Sequence, residues 1–184
     1  MASDIIAIIP ARSGSKGIPD KNINHLAGHP LLAFSIAAAK LSGVDRVIIS
    51  TDSKKYADTA NQYTAEIPFI RPVDISRDSS IDYEFMRHAM QWFKNNNNVV
   101  PEYWLHLRPT TPLRDPDVIN SALSLIEDHH EATSLRSGHE VPESPFKWFL
   151  KDKEGYFKGL RDDLTPERVN LPRQTFPKIY NPDG

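Results

Sequence analysis

Cysteine is absent from the 184 residues. That excludes a disulfide framework and any thiolate metal site, and it agrees with a reducing compartment, so a cytoplasmic protein is expected. A long apolar run is also missing. Ile5–Ile9 is too short for a signal or membrane segment, and the Met-Ala-Ser-Asp start carries no basic region, so no membrane association is expected. No sign of charge dominates: 22 Lys and Arg face 24 Asp and Glu, a net charge of −2. Without a broad basic field no nucleic-acid partner is expected, and any anion must be held by a local cluster. The 7 histidines, His129-His130 included, lack metal-ligand spacing and read as surface residues at helix ends. There is no internal repeat, and only Asn95–Asn98 is of low complexity.

What is present is an ordinary globular composition, 39% hydrophobic and 25% charged, with enough length for one α/β core. Ile5–Ile9 is a continuous apolar run and reads as a strand buried on both faces. Pro30 opens a helix with Leu32, Ile36 and Ala39 on one face, ended by Gly43. Val47–Ser50 is a second buried strand. Asp52 reads as the N-cap of a helix that turns Tyr56, Ala60 and Tyr63 inward. Ile67–Ile70 reads as a short strand. Helix signals return at Asp82, with Phe85, Met86, Ala89, Met90 and Phe93 on one stripe, and Asn95–Asn98 reads as a turn. Tyr103–Leu107 is another strand. Asp115-Pro116 starts a helix whose apolar face is Val118, Ile119, Ala122, Leu123 and Ile126, and Ala132–Leu135 reads as a further strand.

This alternation predicts a doubly wound α/β fold with a mostly parallel sheet over residues 1–137. From about Gly138 the pattern changes. Phe146, Trp148, Phe149, Tyr156 and Phe157 are separated by charges and turns, and the prolines crowd this last third. Residues 138–184 therefore read as a β-hairpin arm with an oligomer surface.

The strongest chemical signal is Pro10-Ala11-Arg12-Ser13-Gly14-Ser15-Lys16-Gly17-Ile18-Pro19-Asp20-Lys21-Asn22. Ligands of open parallel sheets bind beyond the carboxyl ends of strands, where this loop begins. Gly14 and Gly17 let backbone N–H groups approach an anion. Arg12, Lys16 and Lys21 put three cations within ten residues, which suits a triphosphate. The loop is neither a P-loop nor a Gly-x-Gly-x-x-Gly dinucleotide loop.

The loop closely resembles the first motif of the CMP-N-acetylneuraminate synthetase (acylneuraminate cytidylyltransferase) family. Ser50-Thr51-Asp52, Arg71-Pro72, Asp78-Ser79-Ser80, Leu107–Arg114, Pro172-Arg173-Gln174 with Pro177, and Asn181–Gly184 follow in the order and spacing of that family's later motifs. The resemblance implies a Rossmann-like nucleotidyltransferase with a hairpin dimerisation arm, hence a homodimer. It implies transfer of CMP from CTP to the anomeric hydroxyl of a nine-carbon 2-keto sugar acid of the sialic, legionaminic or pseudaminic type, with release of pyrophosphate. Pro10, Ala11 and Arg71 would surround the cytosine. Arg12, Ser15, Lys16, Lys21 and Asn22 would hold the phosphates, Arg12 and Lys21 in catalytic roles. Ser80 would join the CTP site. Arg108, Pro109, Thr110 and Thr111 would meet the substrate, and Lys147, Arg173 and Gln174 the sugar acid. The family uses Mg²⁺, and the resemblance places its ligands on the CTP phosphates and in a segment after residue 184 rather than within this chain.

Three positions depart from the family pattern. Arg108 stands where glutamine is common, Asp20 where a basic residue is usual, and Asp183 is an addition to the last motif. Two alternatives stay open. One is a nucleotidyltransferase for another sugar or sugar phosphate, which would not need Lys147 and Arg173. The other is a degenerate, non-catalytic nucleotide-binding module.

Overall fold

A run of isoleucines with no polar break can only be satisfied as the central strand of a covered sheet. The computed structural model describes residues 4–97 and 99–183 and puts β1 (Ile5–Pro10) in that position. Ile6, Ala7, Ile8 and Ile9 are fully buried. After β1 comes a short antiparallel hairpin, β2 (His25–Leu26) with β3 (His29–Pro30), an element that no periodicity in the sequence marks. Its tip uses two left-handed residues, Ala27 (φ 49°) and Gly28 (φ 84°). Helix α1 (Leu31–Lys40) follows, with Pro30 at the N-cap rather than inside the first turn. Strand β4 (Arg46–Ser50) and helix α2 (Lys54–Gln62) come next, then α3 (Asp82–Asn97), β5 (Tyr103–His106) and α4 (Pro116–Glu127).

The sheet order is β4-β1-β5, and both neighbours run parallel to β1. The chain leaves β1 to one side for β4 and then crosses to the other side for β5. The carboxyl end of β1 therefore lies at a topological switch point, where open α/β sheets bind ligands. On one face Ile5, Ala7, Ile9, Val47 and Ile49 pack with Leu32 and Ile36 of α1, Tyr56 and Ala60 of α2, and Ile119 and Leu123 of α4. On the other, Ile6, Ile8 and Ile48 pack with Phe85, Ala89 and Phe93 of α3 and with Phe69. Helices on both faces make this a doubly wound, Rossmann-like α/β domain. Each isoleucine taken from water contributes about 1.5–3 kcal/mol, so the double cover of β1 is a main source of stability.

Several expected elements differ. The N-cap of α2 is Ser53, whose hydroxyl accepts from the Tyr56 N–H, while Asp52 is used elsewhere. Residues 67–70 form no strand. A single parallel bridge joins Glu66 to Ile48, and Pro68, lacking an N–H, cannot extend the ladder. Asn95–Asn97 continue α3 instead of turning, and Asn98 lies outside the described residues. Met90 and Val118 face solvent, at 37% and 60% exposure, because the buried stripes of α3 and α4 are narrower than their apolar patterns. Residues 132–135 are exposed and extend no sheet.

The residues group into two compact units with a boundary between Thr133 and Ser134. The second unit, by itself, contains two antiparallel pairs. Strand β6 (Gly138–Glu140) pairs with β9 (Tyr180–Pro182), and β7 (Phe149–Lys151) with β8 (Phe157–Gly159). A short helix, α5 (Pro166–Val169), lies between β8 and β9. Among the described residues no helix is long and apolar enough to cross a membrane.

Candidate functional site

The site begins where β1 ends. Ala11 is buried, and its N–H donates to the Ser50 carbonyl at 2.9 Å, so the strands β1 and β4 stay joined up to the start of the loop. Pro10, the last residue of β1, is half-buried. Beyond it the loop folds back, and the buried Asn22 donates from Nδ2 to the Arg12 carbonyl at 3.1 Å. Asp52 holds the near side, accepting from Ser13 N (2.7 Å) and Ser13 Oγ (2.6 Å). The carboxylate read as a helix cap therefore shapes the loop instead. Asp20, in a left-handed conformation at φ 53°, holds the far side through Lys55 (2.7 Å) and the Tyr56 hydroxyl (3.1 Å). Lys55 first, then Tyr56, hold the Asp20 carboxyl below the usual carboxylate range. The departure from a basic residue at position 20 is thus a latch onto α2.

Gly14 also has a positive φ, 68°, and a Cβ built at Gly14 or Gly17 would meet no atom within 4 Å. The loop surface is open there, and its backbone is free to approach a ligand. The three expected cations differ in their surroundings. Arg12 Nη2 and Lys16 Nζ each lie 2.7 Å from a different oxygen of Asp78. Those two cations, Lys16 before Arg12, keep the Asp78 carboxyl below its ordinary range. Lys21 begins a 3-10 turn over Lys21–Ile23 and is half-buried. Among the described residues its ammonium has no hydrogen-bond or ion-pair partner. Ser15 is half-exposed on the same loop.

Arg71 is almost wholly buried, at 4% exposure. Its Nε donates to Ser50 Oγ at 2.9 Å and its Nη2 to the Ser50 carbonyl at 2.5 Å, and the guanidinium sits 4.8 Å from the centre of the Phe85 ring. Burial pulls its pKa down to about 10, which still leaves a cation at neutral pH. Arg71 thus fixes the carboxyl end of β4 beside that of β1. Ser80 Oγ accepts from the Arg77 N–H at 3.0 Å and closes the turn that carries Asp78.

The segment after β5 is held by Arg114, whose role no spacing rule signals. Arg114 Nη1 donates to the carbonyls of Arg108 (2.8 Å) and Thr111 (2.6 Å) and to Ser35 Oγ (3.2 Å). Burial pulls its pKa down. Pro109 is buried, Thr110 is exposed, and Thr111 N donates to the Arg108 carbonyl to close a turn. The exposed Arg108 forms an ion pair with Asp82 at the start of α3. Asp52, Asp78 and Arg114 all sit in the quoted motifs, but spacing alone does not say that Asp52 meets Ser13, that Asp78 meets Arg12 and Lys16, or that Arg114 meets the Arg108 and Thr111 carbonyls.

Lys147, Arg173 and Gln174 belong to the second unit. Lys147 ends a 3-10 turn and lies 5.9 Å from the Phe176 ring centre, and Phe176 stacks on Phe146 at 5.7 Å. Arg173 donates to the Val141 carbonyl at 3.3 Å and lies 4.0 Å from Glu140, whose carboxylate also pairs with Lys178 at 2.9 Å. Gln174 is exposed in the next 3-10 turn, Arg173–Thr175. Among the described residues no three metal-ligating side chains converge. Asp52 and Asp78 already spend both oxygens on protein donors. These residues do not by themselves make a divalent-cation site.

The sequence profile of the cytidylyltransferase family matches residues 6–157. The CMP-N,N'-diacetyllegionaminic acid synthase of Legionella pneumophila subsp. pneumophila is 41% identical over 128 residues, covering 66% of this chain and 52% of that protein. An N-acylneuraminate cytidylyltransferase of Escherichia coli is 40% identical over 128 residues, covering 69% of this chain and 29% of that protein. A pseudaminic acid cytidylyltransferase of Campylobacter jejuni is 35% identical over 168 residues, covering 87% and 72%. The chain thus spans about half or less of the length of the first two of these relatives. Among solved structures, a CMP:2-keto-3-deoxy-manno-octonic acid synthetase complexed with CTP has a similar fold. The TM-score is 0.69 at 17% identity, over 99% of this chain and 72% of that one. A 4-diphosphocytidyl-2C-methyl-D-erythritol synthase from Anaerococcus prevotii gives 0.60 at 14% identity, over 99% and 69%. At such identities these structures speak to the fold alone. The profile covers most of the chain, its N-terminal edge lies at β1, and its span includes the whole phosphate-loop candidate: the chain belongs to the cytidylyltransferase family.

Proposed function

We propose that this chain binds CTP and transfers CMP to the anomeric hydroxyl of a nine-carbon 2-keto sugar acid. The sugar oxygen forms a bond to the α-phosphorus, the bond to the β-phosphate oxygen breaks, pyrophosphate leaves, and the hydroxyl proton is lost to water. Such chemistry depends on positioning and charge neutralisation more than on a covalent intermediate. The observation that carries this reading is the loop at the carboxyl end of β1. It offers open glycines, a half-buried Lys21 with no hydrogen-bond or ion-pair partner among the described residues, and Arg12 and Lys16 beside it in sequence. Arg12, Ser15, Lys16, Lys21 and Asn22 hold the phosphates in this proposal, with Arg12 and Lys21 on the reacting groups. Pro10, Ala11 and Arg71 border the base, and Ser80 the nucleotide.

Legionaminic, N-acylneuraminic and pseudaminic acids are named for the relatives, which supports a sugar acid over a sugar phosphate. Lys147, Arg173 and Gln174 are assigned to its carboxylate side, and the Arg108–Thr111 segment to the rest of the substrate. A homodimer built on residues 138–184 fits the exposed Trp148, Phe149, Tyr156 and Phe157. A cytoplasmic location belongs to the same proposal. For the Mg²⁺ expected from the family no protein ligand set is assigned, and no step is routed through it.

The test is a panel of the four ribonucleoside triphosphates, read by thermal shift and by pyrophosphate release with N-acetylneuraminate, legionaminate and pseudaminate. CTP alone stabilises the protein, and one sugar acid gives turnover. Stabilisation by CTP without turnover on any acid would assign a nucleotide-binding module instead. Indifference to CTP would remove the reading.

A further inference from the structure

Two of the loop's three cations are not free. The Arg12 guanidinium and the Lys16 ammonium are bridged by the two oxygens of a single carboxylate, Asp78, each contact at 2.7 Å. That carboxylate comes from a turn 66 residues away in sequence from Arg12. One anion with an oxygen on each of two cations is the arrangement a bound phosphate group would make. We propose that Asp78 is a built-in competitor for the phosphate subsite, a carboxylate that caps Arg12 and Lys16 in the nucleotide-free protein and is displaced when a polyphosphate enters. This rests on the reading of the loop as the phosphate site and adds a self-capping contact to it.

The other carboxylates of the site cannot play this part. Both oxygens of Asp52 are spent on the N–H and hydroxyl of Ser13, a neutral residue, so it shapes the loop and neutralises no loop cation. Asp20 faces Lys55 and Tyr56 on α2. Asp82 faces Arg108. Asp78 alone among these four meets the loop's own cations. Its turn can also let go. The Asp78 side chain is 36% exposed and that of Lys16 83%, so the contact sits in water, where ion pairs are weak and screened by salt. The turn is closed by its own Ser80–Arg77 bond and does not depend on the Asp78 contact. A polyphosphate, with several charges, outbids a single carboxylate for the same donors. The cap lowers apparent affinity by the fraction of molecules in which it is closed, and it keeps Arg12 and Lys16 from capturing stray monoanions.

The experiment is calorimetric titration of wild-type protein, Asp78→Asn and Asp78→Ser with inorganic tripolyphosphate, CTP and cytidine, without divalent metal. Thermal melts confirm that both variants fold. Both variants bind tripolyphosphate and CTP about three- to tenfold tighter than wild type, the range set by two exposed ion pairs. The gain shrinks as salt is raised, and cytidine, which carries no phosphate, shows no gain. Equal or weaker binding of tripolyphosphate by folded variants, with wild type binding it, overturns the proposal and assigns Asp78 to orienting the cations. Failure of wild type and variants alike to bind tripolyphosphate removes the phosphate-site reading itself.

Discussion

At the scale of single residues, the loop cations divide by their partners. Arg12 and Lys16 share Asp78, whereas Lys21 is half-buried with no partner among the described residues. An ammonium without a counter-charge, on a stem held against the loop, is available to an anion. In the proposed reaction Lys21→Ala therefore abolishes CMP transfer while changing the thermal midpoint little, since no hydrogen bond or ion pair of the side chain is lost among the described residues. Steady-state rates and a melt on the same sample check this, and near-wild-type turnover would sink the assignment. Arg71 is the opposite case. Its Nε and Nη2 are committed to Ser50 and its face to Phe85, so its loss acts on the fold as well as on any base it borders. Residue types and spacing made the cations legible in the sequence. The carboxylate contacts that shape the loop were not legible, because Asp52 and Asp78 reach into the loop and Asp20 reaches out of it to α2 through tertiary contacts that span 35 to 66 positions. A short-range rule assigned Asp52 to the nearest helix start. The tertiary contact to Ser13 took it, and Ser53 became the cap.

At the scale of elements, that exchange of roles gives a pair of variants with opposite signatures. Ser53→Ala removes the α2 cap and costs about 0.5–1 kcal/mol in urea denaturation, with CTP affinity unchanged. Asp52→Asn leaves the cap in place but loosens the loop at Ser13. It lowers CTP affinity about threefold or more, at the scale of one charge-assisted hydrogen bond. If Ser53→Ala weakens CTP binding more than Asp52→Asn does, the division of labour between the neighbours is wrong. Long periodic segments such as α3 and α4, and buried runs such as β1 and β4, were readable because burial on a fixed period dictates them. Residues 67–70 were not, since an apolar run beside Pro68 can pack Phe69 into the core without pairing. The β2–β3 hairpin was missed because it is two residues per strand, too short for any period.

At the scale of the whole molecule, stability and site share a group at the join of loop and α2. Tyr56 is fully buried and donates to Asp20. Burial, then the Asp20 carboxylate, pushes its pKa up to about 12, against about 10 for an unfolded tyrosine. The folded state thus favours the neutral phenol. Its contribution is whole below about pH 10 and is lost as pH rises through about 12. Thermal midpoints measured from pH 9 to 12 therefore fall more steeply for wild type than for Tyr56→Phe, which has no phenol to ionise. Parallel slopes would remove Tyr56 as the group responsible. The doubly wound class was legible from the alternation of strands and helices. The internal make-up of residues 134–183 was less so, because its short strands and 3-10 turns follow local proline and aromatic placement rather than a period.

The position of β1 has a kinetic consequence. It is bonded along both edges, to β4 and to β5, and covered on both faces. No opening can free its backbone without also parting one of its neighbours, so β1 belongs to the last segment of the domain to exchange its amide protons with solvent. The loop that follows is therefore tethered at its start to the slowest-opening part of the molecule. Its tip can fluctuate around Gly14 and Gly17 while the root, at Ala11, keeps time with the global unfolding of the domain.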